Sequence, residues 1–307
     1  MLTSFFGKSK PVNGVAITIF LIIFFIIANF KAWFLEFEIF NFLEKLVVLL
    51  SLILSVFVLN FIAKKNELTQ RSAYKILFFV IFSASFFALL RNHQAIFANL
   101  CVLFALRRVI SLQTKKVTQK KIFDATFWIC IASLFYFWSI LFLVVVYAGI
   151  LYYLPKLKNW LIPPIAVLAV AALTQSFHII TYDQFYTFSE WFQWNYFDYS
   201  NYQIPKILIP LSIILALTFW TLVKFFAVVN KASVSMKPSL NLVLLSLLTA
   251  VAVAVFAPTK DGSELIFFFV PLSIIASIYF DQKSDKLFRE VLLALLILMP
   301  LSIPLIF

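Results

Sequence analysis

Four groups of residues in this chain carry side chains able to do chemistry. The first is the carboxylate pair Glu36 and Glu38, in an aromatic stretch over 31–45. A carboxylate there is a candidate general base or cation ligand, although residues two apart do not share one face of a helix. The second is Arg91 with His93, and it extends to His178, the only other histidine. The third lies over 182–202, where 11 of 21 residues are aromatic, Trp191 and Trp194 among them, and the acids Asp183, Glu190 and Asp198 are interleaved. Aromatic faces stack on sugars or pack on lipid tails, and acids between them hold hydroxyls or a cation. The fourth is Lys260, Asp261 and Glu264 around an Asp-Gly turn, where a cation beside a carboxylate faces phosphate or carboxylate groups. Each group also has an architectural reading: a solvated interfacial helix, an aromatic belt, interfacial helix ends and a plain hairpin turn.

Several chemistries are excluded. Two histidines are too few for a membrane di-iron centre, and there is no HExxH, GxSxG or P-loop pattern. Cys101 and Cys130 lie within apolar runs and form no CxxC or zinc pattern. No metal site and no cofactor is evident. The formal net charge of +12 does not point to nucleic acid, because the cations sit in short loops between apolar runs. Their partners are anionic lipid headgroups at the cytoplasmic face.

The elements that must position these residues are membrane helices. The chain has 307 residues, 64% hydrophobic and 12% charged, against about 25% charged in an ordinary soluble domain. Apolar runs of spanning length, about 20 residues, fill nearly all of it. The expectation is an all-α membrane protein with one polytopic transmembrane domain over 1–307 and no separate soluble domain. The segment 31–45 reads as an outer interfacial helix and 181–205 as an aromatic-rich outer segment. The first apolar run follows Lys8 and Lys10 without an A-x-A-like site, so it reads as an uncleaved span.

Spans are expected near 14–30, 45–62, 74–90, 95–111, 159–178, 206–229, 239–257, 265–281 and 287–306. The run 122–153 is too long for one crossing and is basic at both ends, so it divides into two near Trp138-Ser139. The count is about 11, within a range of 9–12, with the N-terminus cytoplasmic and the C-terminus periplasmic. Of the 25 basic residues, 19 then fall on the cytoplasmic side and 5 outside, with Lys224 near an inner helix end. That ratio is a positive-inside signature of a bacterial inner (cytoplasmic) membrane. With only 4 glycines, helices must approach through Phe, Leu and Ile, not through GxxxG faces.

The start Ser4–Asn13, the stretch Arg91-Asn-His-Gln-Ala-Ile-Phe-Ala-Asn99-Leu, the Phe104-Ala-Leu-Arg107-Arg108 run and Lys121-Ile-Phe-Asp124-Ala-Thr-Phe-Trp128 together resemble an uncharacterised polytopic inner-membrane family of Bacteroidota. That resemblance implies no assigned activity. The short spans over 95–111 and 122–153, with a basic loop between them and an acidic segment after the first span, are similar to C-type integral-membrane glycosyltransferases. This implies lipid-linked sugar donors and an acidic residue at Glu36 or Glu38, although the Asp-containing motif and large outer domain of those enzymes have no counterpart here.

The leading expectation is therefore a protein handling a cell-envelope lipid or lipid-linked substrate at the periplasmic face, in a glycosyltransferase-like manner. Glu36 or Glu38 would be the base, Arg91, His93 and Lys260 would meet phosphates, and Trp191 and Trp194 would stack on substrate. His178, Asp183, Glu190, Asp261 and Glu264 are further binding candidates. A non-catalytic subunit docking a partner protein of an envelope or secretion complex is the alternative, and a transporter the second.

Overall fold

A computed structural model describes residues 2–35, 38–187, 199–258, 260–282 and 286–306, the last stretch by backbone alone at 286 and 302–306. Among the described residues all regular structure is helical. The helices are α1 (Leu2–Phe6), α2 (Pro11–Ala28), α3 (Ile39–Lys65), α4 (Tyr74–Ala84), α5 (Phe87–Arg91), α6 (His93–Ile110) and α7 (Thr118–Phe135). They continue with α8 (Leu143–Tyr153), α9 (Leu157–Trp160), α10 (Ile162–Tyr182), α11 (Pro205–Lys231), α12 (Lys237–Phe256), α13 (Ile266–Asp281) and α14 (Lys286–Ile306). Among the described residues seven segments are long and apolar enough to cross a membrane: Pro11–Ala28, Ile39–Lys65, His93–Thr114, Leu157–Tyr182, Pro205–Lys231, Lys237–Phe256 and Ser263–Asp281. A chain of this kind is a multi-pass membrane protein, since only helices and closed barrels satisfy their backbone in lipid.

Local chemistry sets the helix ends. Prolines open α2, α10, α11 and α12 in the first turn, where the missing N–H costs nothing. Lysine and arginine close α3, α6 and α11, facing the negative end of the helix dipole. The run 122–153 is interrupted at Tyr136, which is extended (φ −142°, ψ 98°) and followed by a 3₁₀ stretch, Phe137–Phe142. That hinge lies just before the expected Trp138-Ser139 division. The run 74–90 is also interrupted, at Phe86 (φ −125°, ψ 98°). The stretch 31–45 is described except at 36–37. It has a wide π-type turn, Lys31–Leu35, and from Ile39 onward it is already the start of α3.

α13 is the centre of the assembly. Every residue from Ile266 to Phe280 is buried, among α4, α6, α11 and α12. All of α4 is buried as well. The two run antiparallel and join through an aromatic ladder. Tyr74 and Phe78 meet Phe280 at ring separations of 5.6 and 4.8 Å, and Phe82 and Phe86 meet Phe269 at 5.7 and 5.6 Å. The spacing of four along α4 puts Tyr74, Phe78 and Phe82 on one face, and Phe86 follows just past the helix end. In lipid, helices gain from van der Waals packing, not from leaving water, and aromatic pairs add about 0.5–1.5 kcal/mol each.

Hydrogen bonds that tie distant segments together are found at both ends of the helices. At one end, the Ala73 amide donates to Phe6 O (2.9 Å), the Tyr74 hydroxyl to Thr3 O (2.6 Å) and the Gln70 amide to Asp281 Oδ2 (3.1 Å). Tyr153 Oη and Ser239 Oγ lie 2.8 Å apart there. At the other end, Asn29 Nδ2 donates to Leu90 O (3.2 Å), Arg91 Nε to Ala28 O (2.7 Å) and Asn92 Nδ2 to Ser263 Oγ (2.9 Å). The first end carries the lysine- and arginine-rich loops.

One close approach does use glycine. A Cβ on Gly149 of α8 would meet Val109 Cγ1 of α6 at 2.6 Å, and a β-branched side chain has little freedom to yield. Gly149→Val is expected to cost about 1–3 kcal/mol and to lower the thermal midpoint of the detergent-purified protein. An unchanged midpoint would show that α6 and α8 are not held this close.

Candidate functional site

The most concentrated polar chemistry among the described residues lies where α12 gives way to α13. α12 ends at Phe256, and Lys260 folds back onto it. Its Nζ donates to Ala254 O and Val255 O, both at 2.6 Å, so a cation caps the negative end of the helix. Only 2% of Lys260 is exposed, and Nζ also lies 5.0 Å from the centre of the Tyr199 ring. Burial pulls the ammonium below the usual lysine range, and the nearby Glu264 charge opposes the shift. Asp261 Oδ1 accepts from the Ser263 amide (3.0 Å) and hydroxyl (2.6 Å), an Asx turn. Gly262 has φ +92°, and a Cβ there would meet Phe86 Cδ1 at 2.7 Å. Glycine is required twice over, by the left-handed backbone and by the ring.

This turn holds Glu264 with no solvent exposure. The Gly262 amide donates to Oε2 at 3.0 Å, and the Tyr202 hydroxyl donates to Oε1. Tyr202 belongs to the 3₁₀ turn Ser200–Gln203, which leads from the aromatic segment into α11. Its phenol is pushed well above the tyrosine range, first by burial, then by the Glu264 charge and the hydrogen bond to it. It therefore remains a protonated donor at any ordinary pH. An ionisable side chain so fully removed from solvent is a functional candidate, and a carboxylate against a phenol donor can exchange that donor for another hydroxyl.

The second expected group joins this one. Asn92 caps α6 through its Oδ1, which accepts from the Ala95 amide at 3.1 Å, while its Nδ2 reaches Ser263. Next to it, His93 Nδ1 lies 3.3 Å from Glu44 Oε1, with both side chains 45% exposed. Arg91 holds α2 through Ala28 O, and Lys45 Nζ donates to Arg91 O at 3.3 Å. Arg91 and His93 thus lie near Glu44 and Lys45, while Lys260, Asp261 and Glu264 form the neighbouring cluster.

The other candidates are placed apart or fall elsewhere. Glu38 is exposed and accepts from Asn41 Nδ2 at 2.8 Å at the start of α3. His178 Nδ1 pairs with Gln184 O at 2.8 Å, and its ring packs on Tyr182 and Tyr186. Asp183 ends α10 with a left-handed φ of 53°. Glu36, Glu190, Trp191 and Trp194 lie outside the described residues. In the sequence Tyr202 is only one aromatic among many, and nothing there marks Asn92 or Glu44 as partners. Among the described residues no three His, Cys, Asp or Glu side chains are grouped to hold a metal ion.

The fold and this site define a polytopic, all-helical membrane protein with an acid buried at one end of its helices. The chain belongs to a family of unknown function, DUF6427, whose model matches residues 8–303. No curated protein and no solved structure matches it.

Tyr202→Phe leaves a buried carboxylate short of one donor and is expected to cost about 1–3 kcal/mol. Gly262→Ala is expected to cost about as much through backbone strain. Thermal unfolding in detergent measures both, and wild-type midpoints in both variants would mean the Glu264 turn is not held as described.

Proposed function

We propose that this chain is a bacterial inner-membrane protein with eleven crossings, its N-terminus cytoplasmic and its C-terminus periplasmic. We propose further that it binds a cell-envelope lipid or lipid-linked substrate at its periplasmic end. The sidedness is supported by the concentration of lysine and arginine in the loops at one end of the helices. The observation that carries the substrate reading is Glu264, excluded from solvent and satisfied by the Tyr202 hydroxyl. A phenol is exchangeable for a hydroxyl of a sugar or glycerol headgroup, donor for donor. Displacing the Tyr202 hydroxyl would leave Glu264 free to accept from such a ligand.

In the glycosyltransferase-like version of this reading Glu264 is a proton acceptor to weigh beside Glu36 and Glu38, of which Glu38 is exposed and accepts from Asn41. A second reading is docking of a protein partner on the aromatic segment. It is favoured by Tyr182 and Phe185, which are 62% and 75% exposed at the end of α10.

Purification in mild detergent, with mass spectrometry of co-purifying lipids and proteins, separates the two. The expected result is a specific lipid or lipid-linked species on the wild type, depleted about tenfold or more in Glu264→Gln. A stoichiometric protein partner with no such species, unchanged in Glu264→Gln, would overturn the substrate reading.

A further inference from the structure

At the opposite end of the helices, Lys65, Arg107, Arg108, Lys116 and Lys121 line one cleft of about 470 Å³, together with Phe61 and Glu67. Three elements converge there: the last turn of α3, the last turn of α6 and the loop leading into α7. A neighbouring cleft of about 620 Å³ shares Phe61, Lys65 and Glu67 with it.

The cations are organised before any ligand arrives. Arg107 lies 4.6 Å and Lys65 5.2 Å from the centre of the same Phe61 ring. Lys121 Nζ donates to Ser111 O and Thr114 Oγ1, both at 2.7 Å. Burial lowers its proton affinity, and the positive charges of Arg108 and Lys65 lower it further. Arg108 is paired with Asp124 at 3.1 Å. Among the described residues Lys65, Arg107 and Lys116 have no carboxylate partner. Five cations thus face two carboxylates, Glu67 and the already engaged Asp124.

The walls are strained as well. Glu67, Lys115 and Val117 have φ of 52°, 53° and 49°, a left-handed conformation uncommon for non-glycine residues and an outlier for β-branched valine. Lys116 is thus presented between two left-handed residues. Backbone strain of this kind gathers at ligand sites, and here it coincides with uncompensated charge. Along α3, the exposed stripe Val47, Leu50, Leu54, Phe57 and Phe61 runs at helical spacing from the apolar face up to the cleft.

We propose that this cleft is a binding site for a phosphate group, held by Arg107, Lys116 and Lys65, with Lys121 fixing the turn beneath it. Two sources supply that chemistry, a phospholipid headgroup whose chains lie on the α3 stripe or a soluble phosphoanion. The proposal stands independently of the site around Glu264.

The test uses the full-length protein in detergent and two probes, phosphatidic acid and inorganic pyrophosphate, with diacylglycerol as the uncharged, phosphate-free comparison. Arg107→Gln and Lys116→Gln remove cleft cations. The double variant Lys156→Gln/Lys158→Gln removes charge at the same end outside the cleft. Saturable phosphatidic acid binding, about tenfold weaker in each cleft variant and unchanged in the double variant, supports the site with a lipid source. The same pattern with pyrophosphate supports it with a soluble source. Lys116 is exposed, so its variant reads binding even where Arg107→Gln unfolds. No saturable binding of either probe overturns the proposal, as does an equal loss in the double variant, which would mark a diffuse surface potential.

Discussion

The contact between α4 and α13 is the constraint from which the rest of the molecule follows. Both helices are buried along their length, and neither has glycines to bring its backbone close to the other. Rings carry the contact instead, at positions 74, 78, 82 and 86 against Phe269 and Phe280. The last ring of the ladder, Phe86, also closes over Gly262, so core packing sets the turn that holds Glu264. At the far end the first ring, Tyr74, is tied to Thr3 O. The same stack of aromatic side chains thereby fixes both ends of the protein.

The two ends divide the chemistry between them. One carries excess cations, strained left-handed residues and clefts facing α3, α6 and α7. The other carries a buried carboxylate and its phenol partner. Between them lies an apolar core built on α4 and α13. The cavity lined by Leu59, Leu103, Val243 and Pro271 has a volume of only about 10 Å³, too small to be a comfortable site even for one water.

Much of the architecture is legible in the sequence because charge and proline bracket the apolar runs. Lys64-Lys65 and Arg107-Arg108 end helices where expected, and basic residues on both sides of 122–153 already require a hinge, found at Tyr136. The candidate site is legible only as separate pieces. Arg91 and His93 form one group and Lys260, Asp261 and Glu264 another, but the Asn92–Ser263 bond that joins them spans 171 residues. The Tyr202–Glu264 pair spans 62, and no periodicity or spacing signals such pairing. Lys260 has the look of an exposed phosphate ligand in a loop. Its position just past a helix end was the available sign that it caps α12.

The central claim is that the cationic end faces the cytoplasm and the Glu264 end faces the periplasm. Cysteine labelling with a membrane-impermeant maleimide tests it most directly, in a background where the buried Cys101 and Cys130 are replaced by alanine. The account predicts that Asp183→Cys is labelled in intact spheroplasts and Lys116→Cys only after lysis. Labelling of Lys116→Cys in intact spheroplasts, or both positions reacting from the same side, would contradict it.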